Sequence, residues 1–172
     1  MTAPSFFDDL GETLADVEEV RSSYITDPGN YRAKVVKIED ATSKNEEPQI
    51  IIFYEVTEGA YSGSEVRDYF TYSRDPGHVD KNGSPDYQKR LGYIKARFVD
   101  LGLPADFRGK IDRDAFTGVE VILTMTASKQ INAGTGKPYV NISDVTRTDS
   151  PAVAAASAAP TIPPATDGGF FN

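Results

Sequence analysis

The stretch "SPDYQKRLGYIKARFVDLG" (84–102) determines how the rest of the chain is interpreted. Its large apolar residues are spaced 4, 3, 4 and 3 positions apart, so they form one stripe along a helix. These residues are Tyr87, Leu91, Ile94, Phe98 and Leu101. Ser84 suits the N-cap, Pro85 suits the first helical position, and Gly102 suits a left-handed C-terminal position. The stretch therefore predicts a single amphipathic helix that packs on a sheet.

Five strand-like segments surround this helix, three before it and two after it. Their β-branched and aromatic residues and the turn residues that bound them are typical of strands. The segments are 29–40, 48–59, 63–73, 118–130 and 137–147. Periodicity alone predicts a mainly β domain with one helix and does not exclude a β-sandwich. The order of elements favours an OB-fold-like barrel of five strands with the α-helix between strands 3 and 4.

Composition divides the chain into three parts. Residues 1–27 carry seven acidic residues and one basic residue, residues 28–148 carry 17 of each, and residues 149–172 carry two acidic residues and no basic one. We predict an acidic N-terminal arm over 1–27, either a short helix or disordered, a folded domain over 28–148, and a disordered Ala/Pro-rich tail over 149–172. The net charge of −8 comes from the two ends. The domain itself is therefore free to present a basic face.

Several classes of protein find no support in the sequence. The chain has no cysteine, which excludes disulfides, thiolate metal sites and a cysteine nucleophile. The acidic N-terminus does not resemble a signal peptide and no apolar run is long enough to span a bilayer, so we expect a cytoplasmic protein. His78, the single histidine, lies among turn residues, and Gly136-Lys137 lacks the flanking glycine and hydroxyl residue of a phosphate loop. We expect no cofactor, no metal and no enzymatic activity.

Aromatic and basic residues alternate along the predicted strands. Arg67 and Tyr69 share one face of the third strand. Arg32 and Lys34 share a face of the first strand, where a twist or bulge is needed because two apolar residues follow with the same parity. Single-stranded nucleic acid binds to surfaces of this kind, since cations follow its phosphates and aromatic rings stack on its bases.

The predicted nucleic-acid contacts come from all five strands and the loop after the third. They are Arg32, Lys34, Lys37, Tyr54, Arg67, Tyr69, Tyr72, Arg74, Lys129, Lys137 and Tyr139. Neutralising phosphates releases counterions, so binding should weaken steeply with salt. The alternative for each of these residues is a place in the core, on the rim or at a protected strand edge.

The chain closes with "DGGFFN" (167–172), which places an acid and two aromatic rings at the end of the tail. A flexible spacer holds such a tip at high local concentration, as in a tethered peptide ligand. We predict that Asp167, Phe170 and Phe171 bind a partner protein. The alternative is a terminus without a function. The acidic ends also have the charge needed to compete with nucleic acid for the domain.

Four stretches carry a resemblance to a known family. They are "GNYRAKVVKIEDATSKNEEPQIIIFYEVTEGAYSGSEVRDYF" (29–70), "QKRLGYIKARFVDLG" (88–102), "FTGVEVILTM" (116–125) and "KPYVNISDV" (137–145). Over roughly residues 24–148 the chain resembles phage single-stranded DNA-binding proteins of the OB-fold type. The resemblance implies a sequence-independent binder that protects replication or recombination intermediates in the host cytoplasm. The tail looks like the acidic, phenylalanine-bearing tip of bacterial and phage single-strand binders, which implies recruitment of replication or recombination proteins.

Two other classes of function stay open, and so does the oligomeric state. The first is an adaptor domain that binds only proteins. The second is a metal-dependent nuclease, for which Asp8 with Asp9 and Asp112 with Asp114 are the candidate carboxylates.

Overall fold

The computed structural model describes residues 25–149. They form five strands, one α-helix and one 3-10 turn. The strands are β1 (Gly29–Thr42), β2 (Pro48–Val56), β3 (Glu65–Thr71), β4 (Glu120–Ile131) and β5 (Pro138–Arg147), the helix is α1 (Tyr87–Asp100), and the turn spans Asp114–Phe116. Most of the predicted N-terminal arm and of the predicted tail, with Asp167, Phe170 and Phe171, lies outside the described residues.

The strands form one antiparallel sheet in the order β3-β2-β1-β4-β5. The predicted mainly β domain, with three strands before the helix and two after it, is confirmed. Each predicted strand is found with its ends moved by three residues or fewer. β3 and β5 are the two edges, and each pairs with one neighbour within the described residues.

The irregularity predicted for β1 is present. The pairing of β1 with β2 shifts between Val35 and Lys37, so Val36 is an extra residue on β1. On one side of this bulge Ala33 and Val35 face the core, and beyond it Ile38 does. A bulge bends its strand and increases the local twist. It therefore lets the apolar residues of β1 stay inside while the sheet curves.

The core lies between the inner face of the sheet and α1. From the predicted apolar stripe of the helix, Phe98 and Leu101 are buried and Ile94 packs against them. Phe116, from the 3-10 turn, meets Phe98 edge to face, with 5.3 Å between ring centroids. No helix among residues 25–149 is both long enough and apolar enough to cross a membrane.

The two ends of α1 differ in how well the sequence predicts them. At the C-terminal end Gly102 has φ of 106° and the Leu103 N–H donates to the Phe98 carbonyl at 2.8 Å, which confirms the predicted glycine stop. At the other end the helix begins at Tyr87 rather than at Pro85. Asp86 takes the N-cap position instead of Ser84, and its carboxylate makes no capping bond.

Helix α1 contacts both edge strands of the sheet. On the β3 side, Arg97 Nε donates to Asp68 Oδ2 at 2.8 Å, and both side chains are largely buried. On the β5 side, Arg147 lies across Gly102, where an added Cβ would be 2.0 Å from a guanidinium nitrogen. Since the two edges of one sheet meet the same helix of 14 residues, the sheet must be strongly curved.

The ion pair between Arg97 and Asp68 yields a test of this arrangement. Burial raises the pKa of Asp68, and Arg97 opposes that rise. Replacing Arg97→Met leaves a buried carboxylate unpaired, so the free energy of unfolding at pH 7 should fall by about 3 to 5 kcal/mol. The loss should shrink as the pH is lowered to 4, because Asp68 then takes up a proton and no charge is buried. Urea unfolding at both pH values measures this.

Arg113→Met is the matched control for that experiment. Arg113 Nη1 also pairs with an aspartate, Asp40, at 2.7 Å, but both side chains are exposed. An exposed pair contributes about 0 to 1 kcal/mol. Equal losses in the two variants would show that Arg97 does not hold the helix to β3.

Candidate nucleic-acid interface

The outer face of β1, β2 and β3 carries a row of three paired residues, Lys37, Phe53 and Arg67. The Lys37 ammonium lies 4.4 Å and the Arg67 guanidinium carbon 5.1 Å from the centroid of the Phe53 ring. Phe53 is buried although it points away from the core. The two cations therefore cover an apolar ring on the outside of the sheet.

Each predicted cation on β1 and β3 has a carboxylate partner. The pairs are Arg32–Glu58 at 3.6 Å, Lys34–Glu55 at 2.9 Å, Lys37–Glu39 at 2.7 Å and Arg67–Glu65 at 2.7 Å. All eight side chains are well exposed. Cross-strand and neighbouring acids therefore balance the charge of these four cations in the free protein.

The three remaining predicted cations lie at strand ends. Arg74 follows β3 and borders the β1–β2 loop beside Glu46. Lys129 is near the end of β4, and Lys137 immediately precedes β5. None of the three forms a salt bridge with another residue of the 25–149 segment. Among the predicted contact residues, these three therefore carry positive charge without a carboxylate partner in that segment.

A groove separates β3 from the β4–β5 hairpin, with a volume of about 270 Å³. We call it the β3–β5 groove. It is lined by Ile25, Glu65, Val66, Arg67, Tyr69, Met125 and Val140. Apolar side chains from the core thus meet polar side chains from the outer face of β3 along one channel.

Two exposed tyrosines flank this groove. Tyr69, in its wall, is 52% exposed, and Tyr139, next to Val140 on β5, is 48% exposed. Glu65, followed by the Tyr69 hydroxyl, raises the pKa of Arg67, so the three groups are close together. The predicted placement of Arg67 and Tyr69 on one face is confirmed, since both are exposed while Val66 packs on the core. β5 alternates in the same way, with Tyr139 exposed and Val140 packed on the core.

Tyr54 is a correction to the predicted set. Its side chain is 0% exposed and its hydroxyl has no hydrogen-bond partner among the described atoms. Burial raises the pKa of this hydroxyl. A ring without exposed surface cannot stack on a base, so Tyr54 belongs to the core. Tyr72 is half-buried just beyond β3, where its N–H donates to the Pro48 carbonyl at 3.0 Å.

Sequence reasoning missed several residues of this region. Ile131, at the tip of the β4–β5 hairpin, is 56% exposed, and its position at the end of a strand was the available signal. Glu65, Met125 and Val140 line the groove, yet nothing local in the sequence marks them. They are close together only because β3 approaches β5, which is a tertiary contact between segments far apart in the sequence.

The single histidine belongs to a cluster that joins three segments. His78 Nδ1 lies 2.5 Å from Asp86 Oδ1, and His78 Nε2 lies 3.4 Å from Glu47 Oε1. Arg90 donates to Asp86 at 2.6 Å and lies 3.2 Å from Glu47. The cluster ties the β1–β2 loop and the loop after β3 to the start of α1. These contacts give His78 a structural role at the entrance of the helix.

The carboxylates considered for a metal site are also engaged in local structure. Asp112 Oδ1 accepts the Asp114 N–H at 3.1 Å, which starts the 3-10 turn. Within residues 25–149 no group of three or more His, Asp or Glu side chains is placed to hold a metal ion. Asp8 and Asp9 lie outside the described residues.

The His78 cluster makes the stability of the fold depend on pH. His78 first, and Arg90 after it, lower the pKa of Asp86 in the folded state. A carboxyl whose folded pKa is lowered stabilises the fold above its unfolded pKa of about 4, and this contribution is lost as the pH falls through the folded value. Asp86→Asn should therefore be less stable than the wild type at pH 7, and the difference should shrink below about pH 4. Thermal unfolding at pH 7, 4 and 3 measures it.

Asp106→Asn is the control for this effect, because Asp106 is exposed and makes no salt bridge to the described residues. It should match the wild type at each pH. A deficit in Asp86→Asn that stays constant from pH 7 to pH 3 would contradict the role given to the ionised carboxylate.

Comparison with known proteins assigns the chain to a family. None of the curated proteins matches the chain. Residues 14–102 match the family described as "Protein of unknown function (DUF669)". The match includes β1, β2, β3 and α1, and therefore the ion-paired face and the β3 side of the β3–β5 groove. Because more than half of the 172 residues are matched, the chain belongs to the DUF669 family.

Proposed function

We propose that this protein binds single-stranded DNA without sequence preference, has no enzymatic activity of its own, and protects replication or recombination intermediates. The observation that carries the proposal is the β3–β5 groove, where an exposed tyrosine and an arginine of β3 face the β4–β5 hairpin. Single strands need ring faces for their bases and cations for their phosphates. Tyr69 and Arg67 offer one of each, side by side.

The same groove supports an OB-type barrel as the fold. β3 and β5 lie on opposite sides of it, and α1 contacts both strands. Pairing of β3 with β5 would close the five strands into a barrel, so the groove is the seam of a barrel left partly open. OB-folds are partly open five-stranded barrels that bind oligonucleotides on a strand face with adjoining loops. Tyr69, Tyr139 and the hairpin lysines lie along that surface.

Stacking contributes more to binding than charge does in this proposal. A base stacked on an aromatic ring is worth about 1 to 3 kcal/mol. An exposed ion pair is worth about 0 to 1 kcal/mol, so Arg67 can exchange Glu65 for a phosphate at small cost and with small gain. Binding would thus be sequence-tolerant, because every base has a ring face. Duplex DNA hides those faces and should bind more weakly.

Partner recruitment remains part of the proposal. The tip with Asp167, Phe170 and Phe171 would attach replication or recombination proteins to the coated strand, since tethering raises their local concentration.

Salt-titrated fluorescence polarisation with labelled oligothymidine tests the function. The slope of log K against log salt is about −0.7 per phosphate neutralised on a single strand. If only Arg74, Lys129 and Lys137 release counterions, the slope should be about −2. If all seven predicted cations did so, it would be about −5. The ion pairs on the strand face favour the shallow slope.

Two results would overturn the function itself. One is the absence of binding at low salt, and the other is equal affinity for duplex and single strand. Incubation of the labelled strand with Mg²⁺ should leave it intact. Cleavage that Asp112→Ala abolishes would instead establish the nuclease.

The groove tyrosine has a well-matched control in the chain. Tyr69→Ala should weaken binding of oligothymidine by about 5- to 150-fold, because one stack is lost. Tyr69→Phe keeps the ring and should bind nearly as the wild type does. Tyr93 lies on α1, is 58% exposed and does not line the groove, so Tyr93→Ala should bind normally. Equal losses in the two alanine variants would remove Tyr69 from the interface.

A further inference from the structure

The chain enters the described fold at one end of the β3–β5 groove, and its entry point is fixed. Ile25 is buried and forms part of the groove wall. Two residues later, the Asp27 carboxylate accepts the Tyr61 hydroxyl at 2.6 Å, and the Asp27 carbonyl accepts the Tyr31 hydroxyl at 2.6 Å. The rings of Tyr31 and Tyr61 meet edge to face. Residues 1–24 therefore join the described fold at the groove.

The walls of the groove offer two kinds of contact. Val66, Met125 and Val140 are apolar and partly or fully buried. Arg67 lies among them and is paired with Glu65, so the lining itself is balanced in charge. The excess positive charge comes from the hairpin that forms the far wall, which carries Lys129 and Lys137 beyond the lining; neither has a salt bridge within residues 25–149. A ligand that combines apolar side chains with negative charge would complement both kinds.

Residues 1–24 have that composition. They contain six acidic residues and one basic residue. Among the acids lie Leu10, Leu14 and Val17, spaced 4 and 3 positions apart, which places them on one side if the segment is helical. No other segment outside the described residues begins at the groove, since the tail leaves from the far side of β5 at Asp149 beside α1.

We propose that residues 1–24 occupy the β3–β5 groove while nucleic acid is absent and leave it when a single strand binds. The second half of this statement rests on the proposed function, and the first half does not. A coil of 24 residues spans about 25 to 30 Å on average, so the segment reaches all of the groove. Attachment at Ile25 gives it an effective concentration in the millimolar range. A contact whose dissociation constant lies below that concentration is then mostly formed.

The absence of cysteine allows a direct test on the full chain. Thr13→Cys provides a single site for a nitroxide spin label, which broadens the amide resonances of nearby residues. We expect broadening at Arg67, Tyr69 and Val140 in the free protein, and none at Asp112 or Asp114. Adding oligothymidine should restore the broadened signals.

Each outcome of the label experiment decides something. Broadening elsewhere, or nowhere, overturns occupancy of the groove. Broadening that persists with bound oligothymidine overturns the competition. If oligothymidine does not bind at all, the proposed function fails, while the spectrum of the free protein still decides whether the segment lies in the groove.

Charge neutralisation gives a second test with a matched control. The triple variant Asp16→Asn, Glu18→Gln and Glu19→Gln should bind oligothymidine about 3- to 10-fold more tightly, because a less occupied groove is available more often. The control triple replaces Asp106, Asp112 and Asp114 with asparagine, which changes the net charge equally. A smaller effect is expected there. Equal tightening in both triples would mean that total charge acts, and would overturn the competition.

Discussion

The position of α1 between the two edges of the sheet is the constraint on which the rest of the structure depends. β3 and β5 pair with one strand each, so their outer backbone groups face the β3–β5 groove. The helix holds these edges close through Phe98 and Leu101 in the core and through the buried pair of Arg97 with Asp68. The bulge at Val36 bends β1, and the helix fixes how closely the two edges of the curved sheet approach. The groove thus lies between two edges that contact the same helix.

The charge of the sheet surface depends on the strand register, which counting charged residues cannot show. Residues 28–148 have equal numbers of acids and bases, and a segregated arrangement would have produced a basic face. The strand register instead places Glu55 opposite Lys34, and Glu39 and Glu65 sit two positions from Lys37 and Arg67. The face is locally neutral, so in the proposed function its rings and the lysines of the hairpin would supply most of the binding energy. A neutral face suits a binder that ignores sequence, since stacking is similar for all bases.

Local chemistry made most of the fold predictable. The helix stripe, the glycine at its C-terminal end and the alternation on β3 and β5 were visible because each depends on neighbouring residues. Tyr54 was misplaced because β2 is buried on both faces: Lys37 and Arg67 cover Phe53 on one side and the core covers Tyr54 on the other. Alternation cannot distinguish the two faces of such a strand. The β3–β5 groove was unpredictable for another reason, since its two walls are about 70 residues apart in the chain.

An open groove between two strand edges has a cost that a covering segment can remove. Unpaired strand edges invite association with other chains, and proteins commonly cover them with a loop or a helix. Ile25 already lines part of the groove, and the acidic segment before it is attached at that place. A cover made only of apolar contacts would resist displacement, whereas one that contributes negative charge is exchanged readily for the phosphates of a nucleic acid. The excess of acids in residues 1–24 is therefore consistent with a cover that protects the edges and still yields to a single strand.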